Sequence, residues 1–143
     1  MDPTTNIQIV RHGYEADRRE DANGAVEHFD SNVEWHWWGR TLHGRSEVKE
    51  MLESLYPLAE THNEIEHIAA TTRYVLVKRV FSLQWKPAAM VSGVGSSPRG
   101  GRGFDLWTLD RKRIVRYHAF GRRRQVVRTV GLLDAIRLHK ALR

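Results

Sequence analysis

The sequence predicts an α+β fold: N-terminal helices packed on a strongly curved, mixed or antiparallel β-sheet, the two together enclosing a conical cavity. Two observations carry this expectation. Helical periodicity dominates the first 56 residues, whereas alternating β-branched and aromatic stretches dominate the region from His62 to Phe120. An order of helices followed by a run of strands places the helices on one face of the sheet, and a curved sheet closed that way leaves a pocket suited to small molecules. The chain has 143 residues, of which 41% are hydrophobic, enough for one domain spanning 1–143 with a core of its own.

The elements follow in order. Pro3 and the pair Thr5 and Gln8, at capping-box spacing, place a helix start near Asn6, and Ile7, Val10 and Tyr14 recur on one face. A second short helix is read over Ala22–Phe29 with Asp21 as its cap. The segment "NVEWHWW" is a strand ended by Gly39. Ser46 caps a third helix whose buried face is Val48, Met51, Leu52, Leu55 and Tyr56, with Pro57 at its end. "HNEIEHIAA" and "RYVLVKRVFSLQW" are strands. Lys86 to Gly103, rich in Gly, Ser and Pro, is read as a long connection and a candidate lid. "FDLWTLDRKRIVRYHAF" is a β-hairpin, and the chain closes with an amphipathic helix over about 128–143 that packs on the sheet or on a second subunit.

Composition narrows the function. The absence of cysteine removes disulfides, thiolate metal sites and a cysteine nucleophile. No apolar run reaches membrane-spanning length and the first residues do not read as a leader, so a cytoplasmic protein without membrane association is expected. The formal charge is +6, concentrated in arginine. The densest run, Arg122, Arg123, Arg124 and Arg128, has no nucleic-acid motif beside it and reads as a solvated basic face. The eight histidines show no close H-x-H or H-x-x-x-H spacing, and no phosphate-binding loop is present, so neither a metal nor a cofactor is expected.

"VRHGYEADRRED…AVEHFDSNVEWHWWGRTLHGRSEVKEML" and "FDLWTLDRKRIVRYHAFGR" together resemble the nuclear-transport-factor-2-like superfamily, in its ketosteroid-isomerase and SnoaL-like polyketide-cyclase branch, over roughly Ile7 to Arg122. The resemblance implies a cone-shaped fold, a homodimer, and an apolar ligand, here an aromatic or polycyclic carbonyl compound. It also implies that Tyr14 and Asp105 donate hydrogen bonds to a developing oxyanion. The sequence departs from the family at two positions. Trp35 stands where the isomerases carry their basic aspartate, and Ala119 stands where the cyclases carry an acidic residue.

His118 and His36 lie beside those vacated positions and have the pKa range of a proton shuttle. A hairpin turning at Arg111-Lys112, with Asp110 opposite Arg113, places Asp105 directly across from His118; a one-residue slip brings Tyr117 inward instead. Trp35, Trp37, Trp38, Trp107, Tyr117 and Phe120 are the candidate substrate-binding surface. Two functions remain open at this stage: a small cofactor-independent isomerase, cyclase or lyase, and a non-catalytic ligand-binding or protein-interaction module on the same fold, with its basic face available to an anionic partner.

Overall fold

The structure is a computed structural model that describes residues 2–37, 39–91 and 99–143. Trp38 and the middle of the expected 86–103 lid therefore lie outside the described residues. The elements run α1 (Pro3–Arg18), α2 (Ala22–Ala25), β1 (Phe29–Trp37), β2 (Arg40–His43), α3 (Arg45–Leu55), β3 (Ala59–Ala70), β4 (Tyr74–Trp85), α4 (Pro87–Val91), β5 (Arg99–Asp110), β6 (Arg113–Phe120), α5 (Arg123–Val130), α6 (Leu132–Arg137) and α7 (His139–Leu142).

Helix α1 begins earlier than expected. The Asp2 carboxylate accepts the Thr4 N–H at 3.0 Å and Pro3 occupies the first turn, a stronger start signal than Thr5 with Gln8. Asn6 is thereby carried into the helix and fully buried, where its amide donates to the carbonyls of Thr71 and Thr72 at 3.2 and 3.3 Å. The second helix is a single turn, because the chain enters β1 at Phe29.

One six-stranded sheet, in the order β2-β1-β6-β5-β4-β3, organises the molecule. Among the described residues only the β1–β6 pairing is parallel; the other four are antiparallel, and the sheet does not close into a barrel. The fold is thus α+β, as the sequence predicts. The short edge strand β2 pairs with β1 through Glu34↔His43 to Trp37↔Arg40 around Gly39, whose φ of +73° suits glycine.

Both faces of the sheet centre are covered, which explains the near-continuous burial of β4. Val75, Val77, Trp107, Leu109 and Tyr117 face α1–α3 in the main core. Leu76, Phe104, Leu106 and Phe120 face the other way, against Val126, Ala135, Leu138, Ala141 and Leu142 of α5–α7. The C-terminal segment is three short helices instead of the single one expected over 128–143, since Gly131 at φ +85° ends one helix and starts the next. These helices pack on the sheet. They leave Leu132, Leu133 and Ile136 exposed. Among the described residues no helix is long and apolar enough to cross a membrane.

The hairpin β5–β6 turns where expected but does not keep the expected register. Arg111 and Lys112 adopt φ +49° and +64°, and Asp110 faces Arg113. Positive φ at both central residues matches the strand twist, so this turn forms without the usual Asn-Gly. Leu109 then faces Ile114, whereas Thr108 faces Arg116. Val115 is the extra residue of a β-bulge. Beyond it Trp107 faces Tyr117, Leu106 faces His118 and Asp105 faces Ala119. The expected Asp105–His118 pair does not form: the bulge turns Tyr117 to the cavity side and His118 to the outside.

Candidate active site

Helix α1 projects Gly13, Tyr14 and Asp17 toward the concave face of the sheet, and the inward phase of β4 and β5 supplies Arg79, Phe81, Asp105 and Trp107. Asp105 is the hub. The residue is 2% exposed, and its carboxyl receives three donors. Tyr14 Oη donates to Oδ2 in a short hydrogen bond, Tyr117 Oη donates to Oδ1 at 2.7 Å, and Arg79 Nε donates to Oδ1 at 3.1 Å. Trp107 Nε1 in turn donates to Tyr14 Oη at 3.1 Å, which fixes that phenol's proton on the Asp105 side.

Three donors make the Asp105 carboxyl an acceptor, held by charge-assisted bonds, in contrast to the donor role implied by family resemblance. Burial, then the Asp105 charge, drives the Tyr14 hydroxyl well above the ordinary phenol range; the same two causes raise Tyr117, so both remain proton donors. Burial alone would lower the Arg79 pKa. The attraction of Asp105, followed by the two phenols, outweighs it and the net shift is upward.

Arg79 fits tightly against Gly103, its partner across β4–β5. A Cβ at 103 would stand 2.8 Å from Arg79 Nη1 and 2.9 Å from the Phe120 carbonyl oxygen. Gly103→Ala is therefore expected to destabilise the fold by about 1–3 kcal/mol through overpacking. Urea unfolding checks this: an unchanged midpoint would show that Arg79 moves aside freely.

A second carboxyl lines the same cavity under different conditions. Asp17 accepts from Tyr56 Oη at 2.7 Å. Burial raises its pKa, and the Tyr56 bond only partly opposes the rise. Burial, then Asp17 itself, also pushes the Tyr56 hydroxyl up. The walls between the two carboxyls are apolar: Phe29, Trp35, Trp37, Phe81 and Trp107 from the sheet, Met51, Leu52 and Leu55 from α3. Trp35 stacks on Tyr117 at 4.1 Å between ring centroids, and its buried Nε1–H has no hydrogen-bond partner among the described residues.

The void is about 70 Å³, against roughly 300–1,000 Å³ for pockets that hold drug-sized ligands. A neighbouring depression of about 240 Å³ shares Tyr14, Asp17, Thr61 and Asn63 with it and continues past Arg11 and Arg18. The approach to the cavity therefore runs between α1 and β3.

Of the residues singled out from the sequence, Tyr14, Asp105, Trp35, Trp37, Trp107 and Tyr117 line this cavity together. His36 and His118 do not. They stack on each other outside, with centroids 4.8 Å apart; His118 also stacks on Phe120 at 4.0 Å, and His36 Nε2 contacts Glu34 Oε1 at 2.5 Å. Burial lowers the His118 pKa, and His36 and Arg116 lower it further. Phe120 packs under the C-terminal helices and is no part of the cavity wall. Sequence reasoning missed Arg79, Asp17 and the part played by Tyr56. Signals existed for the first two: an arginine in the inward phase Val75-Val77-Arg79-Phe81, and a carboxylate three residues beyond Tyr14 on the same helix face.

Comparison with known proteins bears on this arrangement. A candidate polyketide cyclase from Xanthomonas campestris pv. campestris superposes with a TM-score of 0.72 at 14% identity, covering 90% of this chain and 98% of its own. An LEH-like epoxide hydrolase from M. tuberculosis gives 0.71 at 16% identity, covering 98% and 86%. TerC, co-crystallised with polyporic acid, gives 0.66 at 15% identity, covering 87% and 96%. At these identities the likeness is one of fold. Comparison with curated proteins gave no match. The profile of the SnoaL-like domain matches residues 10–117, most of the elements that build the cone and its cavity, and the chain belongs to the SnoaL-like domain family, within the nuclear-transport-factor-2-like fold.

Proposed function

We propose that the chain is a small enzyme that performs acid–base chemistry, an isomerisation, cyclisation or dehydration, on an apolar aromatic or polycyclic carbonyl compound. The observation that carries this reading is the pair of carboxyls in one aromatic cavity with opposed surroundings. Asp105 is fixed by Arg79 and two phenols, while Asp17 has burial and a single neutral donor. Two carboxyl groups held in such different surroundings can take different parts in acid–base chemistry.

In this reading Asp17 moves the proton. A carboxyl raised above the usual range is a stronger base when ionised and a competent acid when protonated, so it can take a proton from carbon next to the carbonyl and return it elsewhere. The substrate oxygen sits by Tyr14, whose hydroxyl turns from Asp105 to the developing enolate oxygen. Arg79 and Tyr117 meanwhile keep the Asp105 charge in place. The aromatic walls hold the planar body of the substrate. Entry requires side chains at the α1–β3 approach to move, because the void is smaller than such a ligand.

That small void favours a second reading, a binding or interaction module with a filled core. Thermal-shift screening with planar phenols, steroids and polyketide-like aromatics separates the two. A ligand at about a hundred times its Kd stabilises the native state by about 2.7 kcal/mol. Under the enzymatic reading a shift is expected in the wild type and is reduced in Tyr14→Phe, and the carbonyl compounds that bind are then assayed for turnover. No shift with any compound of these classes would favour the filled module.

A further inference from the structure

We propose that His12, Glu27 and His28 bind one divalent transition-metal ion of the zinc, cobalt or nickel kind, tying α1 to the start of β1. Their ligand atoms all lie within 4.8 Å of one another. Glu27 Oε2 is 2.7 Å from His12 Nε2 and 3.5 Å from His28 Nε2, and the two rings meet edge to face at 5.3 Å between centroids. Around a tetrahedral zinc, with bonds of about 2.0–2.2 Å, ligand atoms stand roughly 3.3 Å apart. The two spacings to Glu27 fall on either side of that value.

An ordinary surface ion pair joins one imidazole to one carboxylate. Here two imidazoles from separate segments converge on the same carboxylate oxygen. Two imidazole nitrogens and one carboxylate oxygen are a donor set suited to zinc, cobalt or nickel, and poorly suited to magnesium or calcium, which take oxygen alone. The three side chains are part-exposed, and His12 Nε2 itself is shielded from solvent. The spacing rule applied to the sequence could not find this set, because His12 comes from α1 and Glu27-His28 from the turn before β1.

The position gives the ion a task. Gly13 and Phe29, the neighbours of His12 and His28, both line the cavity. An ion here would pin the helix that carries Tyr14 and Asp17 against the sheet, whatever chemistry the cavity performs. Arg113 donates to the Glu27 carbonyl oxygen at 3.4 Å. Its positive charge beside the site limits affinity, and micromolar binding is expected.

The test is titration of chelator-stripped protein with Co²⁺, followed by its visible absorption, and with Zn²⁺ by calorimetry. Wild type, His12→Ala and Glu27→Gln are compared, with circular dichroism as the control on folding. One ion per chain, a tetrahedral cobalt spectrum and a metal-dependent rise in Tm are expected, with affinity falling at least about tenfold in both variants. Glu27 is exposed, so Glu27→Gln keeps the test decisive if His12→Ala folds poorly. Absence of binding up to about 1 mM metal, or binding that survives Glu27→Gln unchanged, overturns the proposal.

Discussion

Asp105→Asn is expected to cost about 3–5 kcal/mol of stability, the range found when one partner of a buried ion pair is removed. Arg79 is 7% exposed and would keep its charge without a counterion. The replacement amide also fails as an acceptor on its nitrogen side, so one of the donors from Tyr14, Tyr117 and Arg79 loses its partner. For a chain of this length the loss corresponds to a fall in Tm on the order of 10 °C. Thermal and urea unfolding of Asp105→Asn and of Asp105→Asn with Arg79→Met give the check. The double variant should recover part of the loss, because it removes the stranded charge. A single-variant cost under about 1 kcal/mol would mean that Arg79 is effectively solvated and that the centre is not the anchor described.

Asp17→Asn is expected to act in opposite directions on activity and stability. Removing a positioned acid–base group lowers turnover by about 10²–10⁴-fold, read on any carbonyl compound that the wild type converts. Stability moves the other way because the folded pKa of Asp17 is raised, chiefly by burial. A carboxyl with a raised folded pKa contributes its stability below the unfolded value, near 3.8. That contribution is lost as pH rises through the folded value. Asparagine does not ionise and can still accept from Tyr56, so the variant should be more stable than wild type at neutral pH and equal to it in acid. Unfolding at several pH values measures this. A stability difference that does not change with pH, or unchanged turnover, would remove Asp17 from the proposed mechanism.

How much of this was legible before the structure depends on the kind of signal. Strand alternation in "NVEWHWW" gave the facing of Trp35 and Trp37, and the helical spacing of Ile7, Val10 and Tyr14 gave the inward face of α1. These are local periodicities, and burial enforces them. The facing of His118 was not local, because it depended on Val115, a bulge residue of no distinctive type. Arg79 and Asp17 were hidden by the habit of reading charged residues as solvated; each is met by a partner from a distant segment, Asp105 for the buried Arg79 and Tyr56 for the half-buried Asp17. The single C-terminal helix failed at Gly131, where a positive φ divides a pattern that reads as continuous.

The bulge also says how the hairpin tolerates the loss of a codon. Leu109 faces Ile114 and Thr108 faces Arg116, so an in-frame deletion of Val115 leaves both pairings available as an unbroken ladder. Ile114 and Tyr117 keep the same side of the sheet. An inserted codon in the same arm must either be absorbed by a wider bulge or exchange the two faces, taking Tyr117 from Asp105 and driving His118 into the aromatic cavity. For a mutational library the arm is thus asymmetric, open to shortening at one position and closed to lengthening. Related chains are best matched by counting back from Phe120, since a count forward from the turn assigns histidine to the place that tyrosine occupies.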